Sequence, residues 1–288
     1  MPIIRIGISG WTYAPWRGAF YPKKLPQKQE LNYASSIFPS IEINGTFYGL
    51  QRPSSFSHWA QQTPEDFVFT VKAPRFITHI KRLKDSKTPL ANFLASGPLA
   101  LGPKLGPILW QFPPNFHFDA KLLEPFLALL PHNAEDAVKI ARNHDERLKA
   151  KAWLQTDGVG PLRHAFEIRH DSFRDPVFID LLREYNVALV CADTVEWPRL
   201  MDLTSDFIYC RLHGSDELYR SGYTDAALDR WAARVRAWSN GKPMRDGEFA
   251  GTGGITKKRD VFLFFDNTDK LRAPRDAQAL IGRLSGSA

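Results

Sequence analysis

Acidic, basic and amide side chains recur at every second position in three otherwise apolar segments of the sequence. The residues that share this pattern are Glu42 and Asn44 in 40–48, Glu167 and Arg169 in 164–170, and Arg211 and His213 in 207–214. Side chains of a β-strand alternate between its two faces, so the charges of each segment point one way. Burying such groups is costly unless they pair or take part in chemistry, which indicates a candidate active site.

Acid/base chemistry on a small anionic substrate is the preferred hypothesis. We expect Glu42 and Glu167 to act as general acid and base, with His213 helping in proton transfer or orientation. Arg169 and Arg211 favour a phosphate or carboxylate ligand, because a guanidinium offers such groups parallel charge-assisted hydrogen bonds. The other candidate substrate-binding residues lie at the ends of strand-like segments or just after them: Trp11, Asn44, Tyr48, Lys72, His79, Gln111, His170, Asp193 and Asn267.

Other interpretations use the same residues. Glu42 and Glu167 would suit a glycosidase if they flank a sugar bond, and carboxylates with His213 could hold a divalent metal. Arg169 and Arg211 share those faces and can satisfy the carboxylates without a cation, so we expect neither a metal nor another cofactor. Lys72 could form a Schiff base if it is desolvated, and the Glu–Arg pairs could be a purely structural lattice.

A basic stretch suggests a second function. Lysine and arginine exceed aspartate and glutamate by 38 to 31, giving a net charge of +7, which favours anionic partners. The positive residues are densest at 72–87, so a nucleic-acid-binding protein or a nuclease is the alternative. The sequence leaves the oligomeric state open.

Eight apolar, strand-like segments alternate with helical patterns, which is typical of a single (β/α)8 TIM-type barrel over residues 1–288. Asp119, Asp175 and Thr224 or Asp225 stand before apolar helical stripes as N-caps. A polar helix at 134–151 is expected as an insertion. An open doubly wound sheet is the rival fold, but no glycine-rich phosphate fingerprint follows the first strand. The predicted strands are 3–10, 41–48, 67–73, 107–112, 164–169, 188–194, 207–214 and 260–267.

Two cysteines bear on the cellular compartment. Cys191 has the strand parity of Asp193, and Cys210 opposes Arg211, so we expect the two thiols on opposite faces of the sheet and no disulfide. Buried free thiols favour the cytoplasm. The sequence has no signal-peptide pattern, and no apolar run is long enough to span a membrane, so no membrane partner is expected. His164, at the start of its strand, is expected at the surface.

Ordered motifs along nearly the whole chain resemble the YecE-like family, also described as domain of unknown function 72. The resemblance implies an eight-stranded TIM-type barrel and gives no reaction. At the level of the fold it suggests a likeness to metal-dependent endonuclease barrels, so an endonuclease-like phosphodiesterase is one form of the alternative function. It also implies that the candidate site residues lie in the family motifs. The motifs are GISGWTY near the start, EINGTFY at 42–48, VKAPRFITH at 71–79, LWQFPP at 109–114, FEIRHDSF at 166–173, ADT at 192–194, YCRLHG at 209–214 and FFDNT at 264–268.

Overall fold

Eight parallel strands close into a barrel in the part of the chain that the computed structural model describes. That part comprises residues 2–148, 151–214, 222–242, 244, 246–251, 256–266 and 271–286. Each strand pairs with the next along the chain, and the last pairs with the first, so the predicted TIM-type barrel is confirmed and the open-sheet rival is wrong. The strands are β1 Ile4–Ser9, β2 Ser40–Ile43, β3 Val68–Lys72, β4 Leu105–Gln111, β5 His164–Glu167, β6 Ala188–Asp193, β7 Phe207–Leu212 and β8 Asp260–Phe265.

Helices cover the outside of this barrel, and three of their starts follow the predicted caps. Asp119 accepts a hydrogen bond from the Lys121 amide, and Thr224 accepts one from the Ala227 amide, as Asp175 does from the amide of residue 177. Among the described residues, no helix combines the length and apolar character needed to cross a membrane. The helices are α1 Glu30–Ser35, α2 Gly45–Tyr48, α3 Pro53–Gln61, α4 Lys87–Ala95, α5 Ala120–Leu127, α6 Ala134–Ala141, α7 Pro176–Glu184, α8 Asp225–Ser239 and α9 Ala273–Ser285.

Some predicted elements differ from the structure. The predicted strand 41–48 ends at Ile43, because the Thr46 hydroxyl donates to the carbonyls of Ile43 and Lys72 and folds the chain into α2. The predicted insertion helix 134–151 ends at Ala141, and a short 3₁₀ turn, Glu146–Leu148, follows it. Helix α4 was not predicted, and only its first residue, Lys87, lies in the basic stretch 72–87.

The two cysteines face the same side of the sheet, and the sequence-based expectation is wrong. Cys191 and Cys210 are Cα partners in the pairing of β6 with β7, and both lie in the apolar layer between strands and helices. The expectation failed because Asp193, which shares the parity of Cys191, was taken to face the barrel interior. Asp193 instead bonds to Trp231 of the surrounding helix α8. Both thiols are free.

Gly7 in β1 allows this strand to pair closely with β2. A Cβ on Gly7 would lie 2.0 Å from the Ser40 carbonyl oxygen and 3.2 Å from the Phe264 ring. Any side chain there would push apart two paired strands. Ser9, two residues further on the same face, can therefore reach Glu42 of the neighbouring strand, to which it donates a hydrogen bond of 2.9 Å.

His164 is fully buried in the outer core, not at the surface. Its Nδ1 accepts a hydrogen bond from the Trp110 indole at 3.1 Å, and its Nε2 lies 2.8 Å from the Pro131 carbonyl, which fixes the ring as neutral with the proton on Nε2. Burial lowers its pKa to about 3, although the Pro131 carbonyl partly offsets this. Unfolding restores the ordinary value, so the unfolded chain binds the extra proton between about pH 6.5 and 3.

We therefore predict that His164 makes the free energy of unfolding fall as the pH drops below 6.5. Its contribution is about 1.4 kcal/mol per pH unit, and His164→Phe should remove that slope. Urea denaturation of both proteins between pH 7 and pH 5 measures the difference. His58→Gln, at an exposed position of α3, is the matched control and should leave the profile unchanged. An unaltered slope in His164→Phe would contradict the assignment.

Candidate active site at the barrel mouth

A guanidinium at the barrel axis gathers three carboxylates. Arg211 of β7 is fully buried, and its Nε and Nη2 donate to the two oxygens of Glu42 at 3.1 and 2.9 Å. Its Nη1 donates to Glu167, and Nη2 also donates to Asp266 at 2.7 Å. The carboxylates come from the ends of three strands, β2, β5 and β8. The structure thus brings together the predicted residues Glu42, Glu167 and Arg211.

The remaining lone pairs of two of these carboxylates are also occupied. Glu42 accepts hydrogen bonds from the Ser9 hydroxyl at 2.9 Å and from the Tyr209 hydroxyl at 2.6 Å. Glu167 accepts two from Arg169, at 2.8 and 2.6 Å. Burial alone would raise the pKa of Glu167, but the charges of Arg211 and Arg169 outweigh it and hold that pKa well below its usual range.

His213 lies between two members of this cluster. Its Nδ1 is 3.4 Å from Asp266 and its Nε2 is 3.8 Å from Glu167, and the ring is fully buried. Burial lowers the pKa of His213, and hydrogen bonding to Asp266 offsets this in part. The imidazole is therefore neutral at pH 7 and adds no charge to the cluster.

Lys72, at the end of β3, faces the same interior but has no such partner. Its side chain lies over the face of Phe47, with Nζ 4.3 Å from the ring centroid. Within the described part of the chain, its ammonium has no hydrogen bond and no carboxylate within 4.0 Å. Burial, together with the charge of Arg211, lowers the pKa of Lys72 to about 8, while Glu167 pulls it upward.

His79 stands at the rim, in the turn that follows β3. Its Nδ1 is 2.9 Å from the Thr78 hydroxyl, and its ring meets the Phe47 ring edge-to-face at 5.1 Å. Partial burial and the nearby charges of Arg75, Arg169 and Lys72 lower the pKa of His79 to about 4. The ring is therefore an unprotonated base at neutral pH.

An aromatic ring that the sequence analysis missed covers Arg169. The guanidinium carbon lies 3.9 Å from the centroid of Trp197, which comes from the loop between β6 and β7. The Trp197 ring also meets His213 edge-on at 5.7 Å. Tyr209, Ser9 and Phe47 are the other contributors that were not among the predicted site residues. Tyr209 and Ser9 lie on the inner faces of their strands, and the alternation of the sequence could have identified them as site residues.

Asp193 and His170 are predicted residues that do not join the cluster. Asp193 faces outward, where its carboxylate binds Arg199 at 3.0 Å and the Trp231 indole at 3.2 Å. In β6, Asp193 lies on the same face as the apolar residues that contact the helices. The sequence pattern had been interpreted with this face pointing to the barrel interior. His170 caps a short turn by accepting from the Ser172 amide, and its ring lies against that of His117 at 3.8 Å.

Trp11, Asn44 and Tyr48 line a separate cavity of about 310 Å³ beside the barrel axis. Trp11 packs edge-on against Trp59 of α3 at 5.4 Å, and Tyr48 is 75% exposed at the rim. The structure thus separates these three from the Arg211 cluster.

Two further predicted residues come from strand ends. Gln111, at the end of β4, is 5% exposed, and its amide oxygen has no hydrogen-bond partner among the described residues. Asn267 lies outside the described residues. In the described part of the chain, no three or more His, Cys, Asp or Glu side chains form a metal-ligand group; the carboxylates converge on Arg211 instead.

A larger cavity of about 610 Å³ lies next to this site, against α2, the turn 76–80 and α4. Its wall is mostly apolar, and Phe47, which covers Lys72, is part of it. Cations stand at its edge: Arg75, Lys81 and Arg147.

We predict that Arg211→Met is strongly destabilising, because it leaves three buried or nearly buried carboxylates without their shared cation. The expected loss is about 3–5 kcal/mol in the free energy of unfolding, measured by urea denaturation at pH 7. Arg283→Met is the control, since Arg283 pairs with the exposed Asp225 and Asp229 and should cost about 1 kcal/mol or less. Equal effects of the two substitutions would contradict the central role of Arg211.

Comparison with known proteins gives a family assignment. The family model described as "Protein of unknown function DUF72" matches residues 5–288. The UPF0759 protein YunF of Bacillus subtilis (strain 168) is 34% identical over 119 residues, and the UPF0759 protein YecE of Escherichia coli (strain K12) is 28% identical over 141 residues. These alignments cover 40% and 43% of this chain, and they span less than half of the relatives' own lengths, 41% and 49%.

Solved structures agree over the full length. A DUF72 family protein from Thermotoga maritima MSB8 has a TM-score of 0.69 at 24% identity, covering 98% of this chain and 99% of that one. A DUF72 family protein from Enterococcus faecalis V583 has a TM-score of 0.68 at 18% identity, covering 99% and 97%. At these identities the likeness concerns the fold alone. The whole-chain family match, together with the barrel and its motifs, shows that this chain belongs to the YecE-like DUF72 family.

Proposed function

We propose that the protein is an enzyme that acts on a small phosphate- or carboxylate-bearing substrate at the barrel mouth by acid/base chemistry. One observation carries this proposal: in the described part of the chain no carboxylate contacts the Lys72 ammonium, although Lys72 shares its surroundings with Arg169 and Arg75, whose charges also reach His79. An anion entering between these cations would give Lys72 a direct partner. Arginine and lysine side chains with unused donors are suited to such a ligand.

In this proposal the two glutamates do not transfer protons. Both are buried, and each accepts hydrogen bonds from an arginine and from further donors. Protonating Glu167 would break two arginine contacts, which is why its low pKa argues against an acid role. We instead propose that Glu42 and Glu167 hold Arg211 in place. His213, which lies between Asp266 and Glu167, would help to position these two carboxylates.

The proton-transfer role passes to His79. It is unprotonated at neutral pH, it is only half-buried, and Thr78 fixes its orientation. A general base has to be accessible and unprotonated at the working pH. Of the residues first considered, His79 meets both conditions, and it stands beside the cations that would hold the substrate.

No metal or other cofactor is part of the proposed mechanism, which uses only side chains of this chain. We also propose a cytoplasmic location. It is supported by Cys191 and Cys210, which are free although the strand register sets them side by side. Such a pair is expected to stay reduced in a reducing compartment.

We predict that inorganic phosphate, 2-phosphoglycolate or oxalate raises the melting temperature, by about 5–10 °C at a hundredfold excess over the dissociation constant. Arg75→Gln should weaken this binding about tenfold, the effect of losing one charge-assisted hydrogen bond. Arg75 is exposed, so the substitution should not disturb the fold. Arg230→Gln, at an exposed position of α8, makes the same charge change and should bind as the parent does. A melting temperature that is insensitive to all three anions would contradict the proposal.

A second function is favoured by the 610 Å³ cavity. Exposed apolar side chains line it, including Tyr48, Phe76 and Ile80, and Arg75 and Lys81 stand beside them. Aromatic faces next to cations are the usual platform for single-stranded nucleic acid, with bases stacked and phosphates paired. Arg82 is less suited to this role than the sequence suggested, because it is bound to Asn115 and stacked on Phe116.

If this second function holds, a labelled single-stranded oligonucleotide should bind with an affinity that falls steeply as salt increases. Fluorescence anisotropy at 50 and 200 mM salt measures this dependence. Tyr48→Ala and Lys81→Ala should each weaken binding, by about 1–3 kcal/mol for the aromatic substitution. Lys121→Ala, at an exposed position of α5, is the control for a general loss of charge. Binding that none of these changes affects would rule out this surface.

A further inference from the structure

Among the described residues, Lys72 differs from the other buried or partly buried cations of the barrel in having no hydrogen-bond acceptor or carboxylate in direct contact with its ammonium. Arg211 contacts three carboxylates. Lys104, another partly buried lysine, donates to the Ala60 carbonyl at 2.6 Å and to the carbonyl and hydroxyl of Thr63 at 2.8 and 3.2 Å. For Lys72, the described residues offer the face of Phe47 as a direct contact, and the cluster carboxylates act on it only from a longer distance. A cation–π contact is worth about 0.5–2 kcal/mol, less than a buried ammonium needs.

The backbone at Lys72 is held by hydrogen bonds on both sides, at the end of a barrel strand. Its carbonyl accepts a 2.6 Å hydrogen bond from the Thr46 hydroxyl, and the next amide, of Ala73, donates to the Leu109 carbonyl at 2.8 Å. The residue stands at the carboxyl end of β3 and is 8% exposed. Active sites of TIM barrels are built at this end of the strands. The side chain is therefore shielded from solvent and attached to a fixed point of the backbone next to the mouth.

We propose that Lys72 is a nucleophile that forms an imine with a small aldehyde or 2-oxo acid, whose carboxylate or phosphate is held by Arg169 and Arg75. This assignment rests on the proposed function and gives it a substrate class. Lysine is activated in this way when it is desolvated or next to another cation, and Lys72 is both. The neighbouring cation is Arg211, which also lies close enough to lower its pKa.

The unprotonated fraction of Lys72 is large enough for the reaction. With its pKa lowered to about 8, roughly a tenth of the side chain is free amine at pH 7, against fewer than about one in a thousand for an exposed lysine. His79 is unprotonated under the same conditions and contacts the same Phe47 ring. It is placed to take the proton that the amine loses.

The step is balanced without an oxidant or reductant. The nitrogen lone pair of Lys72 forms a bond to the carbonyl carbon, and the C=O π electrons move to oxygen, which takes up a proton to give a carbinolamine. His79 accepts the proton released from nitrogen. A proton returned by His79 converts the hydroxyl to water, which leaves while the nitrogen lone pair forms the C=N bond. The remaining N–H proton is then lost to solvent, which had supplied the first proton on oxygen. One amine and one carbonyl thus give one imine and one water.

Reductive trapping tests this proposal. The full-length protein is incubated at pH 7 with glyoxylate, pyruvate or glyceraldehyde 3-phosphate, and cyanoborohydride reduces any imine to a stable secondary amine. Intact mass gives the stoichiometry, and peptide mapping gives the position. We expect one adduct per chain, at Lys72, with a trapping rate that rises to half its maximum near pH 8. The neutral probe acetone, which lacks an anionic group, should label at least tenfold more slowly.

Variants and a separate binding measurement distinguish the possible failures. Lys72→Arg keeps the charge and should abolish the adduct, whereas Lys104→Arg replaces a hydrogen-bonded lysine and should leave trapping unchanged. Because mapping on the parent protein locates the adduct, the conclusion does not depend on folding of Lys72→Arg. Labelling spread over exposed lysines, or no labelling, overturns the imine. If the parent protein still binds oxalate, the anion site survives that result; if it does not, the proposed function fails as well.

Discussion

A guanidinium at the axis of a closed barrel can be buried only if carboxylates surround it, and this requirement organises the interior of the molecule. Arg211 draws Glu42, Glu167 and Asp266 together from the ends of three strands. These carboxylates carry three negative charges, against two positive charges on Arg211 and Arg169. The third positive charge belongs to Lys72, which touches none of them. The charged groups around Arg211 are therefore paired with one another. The groups with free hydrogen-bonding atoms lie nearer the barrel mouth, and for this reason the proposed chemistry is placed there.

The barrel could be predicted because its physical causes are local. Period-two alternation marked eight strands, intervening helices required parallel pairing, and cap residues such as Asp119 and Thr224 fixed helix starts. Errors arose where a tertiary contact overrode a local pattern. The alternating segment at 40–48 continued past Ile43 in sequence, but the Thr46 hydroxyl found the Lys72 carbonyl and turned the chain. Alternation along β6 also does not show which of its two faces points to the barrel interior, so Asp193 was assigned to the wrong face of the sheet.

The candidate site was only partly predictable for a related reason. Alternation showed that Glu42, Glu167 and Arg211 share a face, and parallel strands bring such faces to one end. Which partner each group takes depends on distances that the sequence does not contain. The pairing of both glutamates with Arg211 argues against their expected role as proton carriers. The absence of a carboxylate beside Lys72 in the described residues favours the imine role that was one of the alternatives for that lysine. Trp197 lies in a loop, where no periodic pattern predicts side-chain positions, so its contact with Arg169 could not be predicted.

A double-mutant cycle between Arg211 and Glu167 tests the central claim most directly. The free energies of unfolding of the parent, Arg211→Met, Glu167→Gln and the double variant are measured by denaturation at pH 7. If a shared buried charge cluster governs the interior, the two substitutions should be strongly non-additive, with a coupling energy of about 2 kcal/mol or more. Effects that add to within about 0.5 kcal/mol would mean that the two side chains are energetically independent. The claim that Arg211 holds the buried carboxylates together would then be wrong.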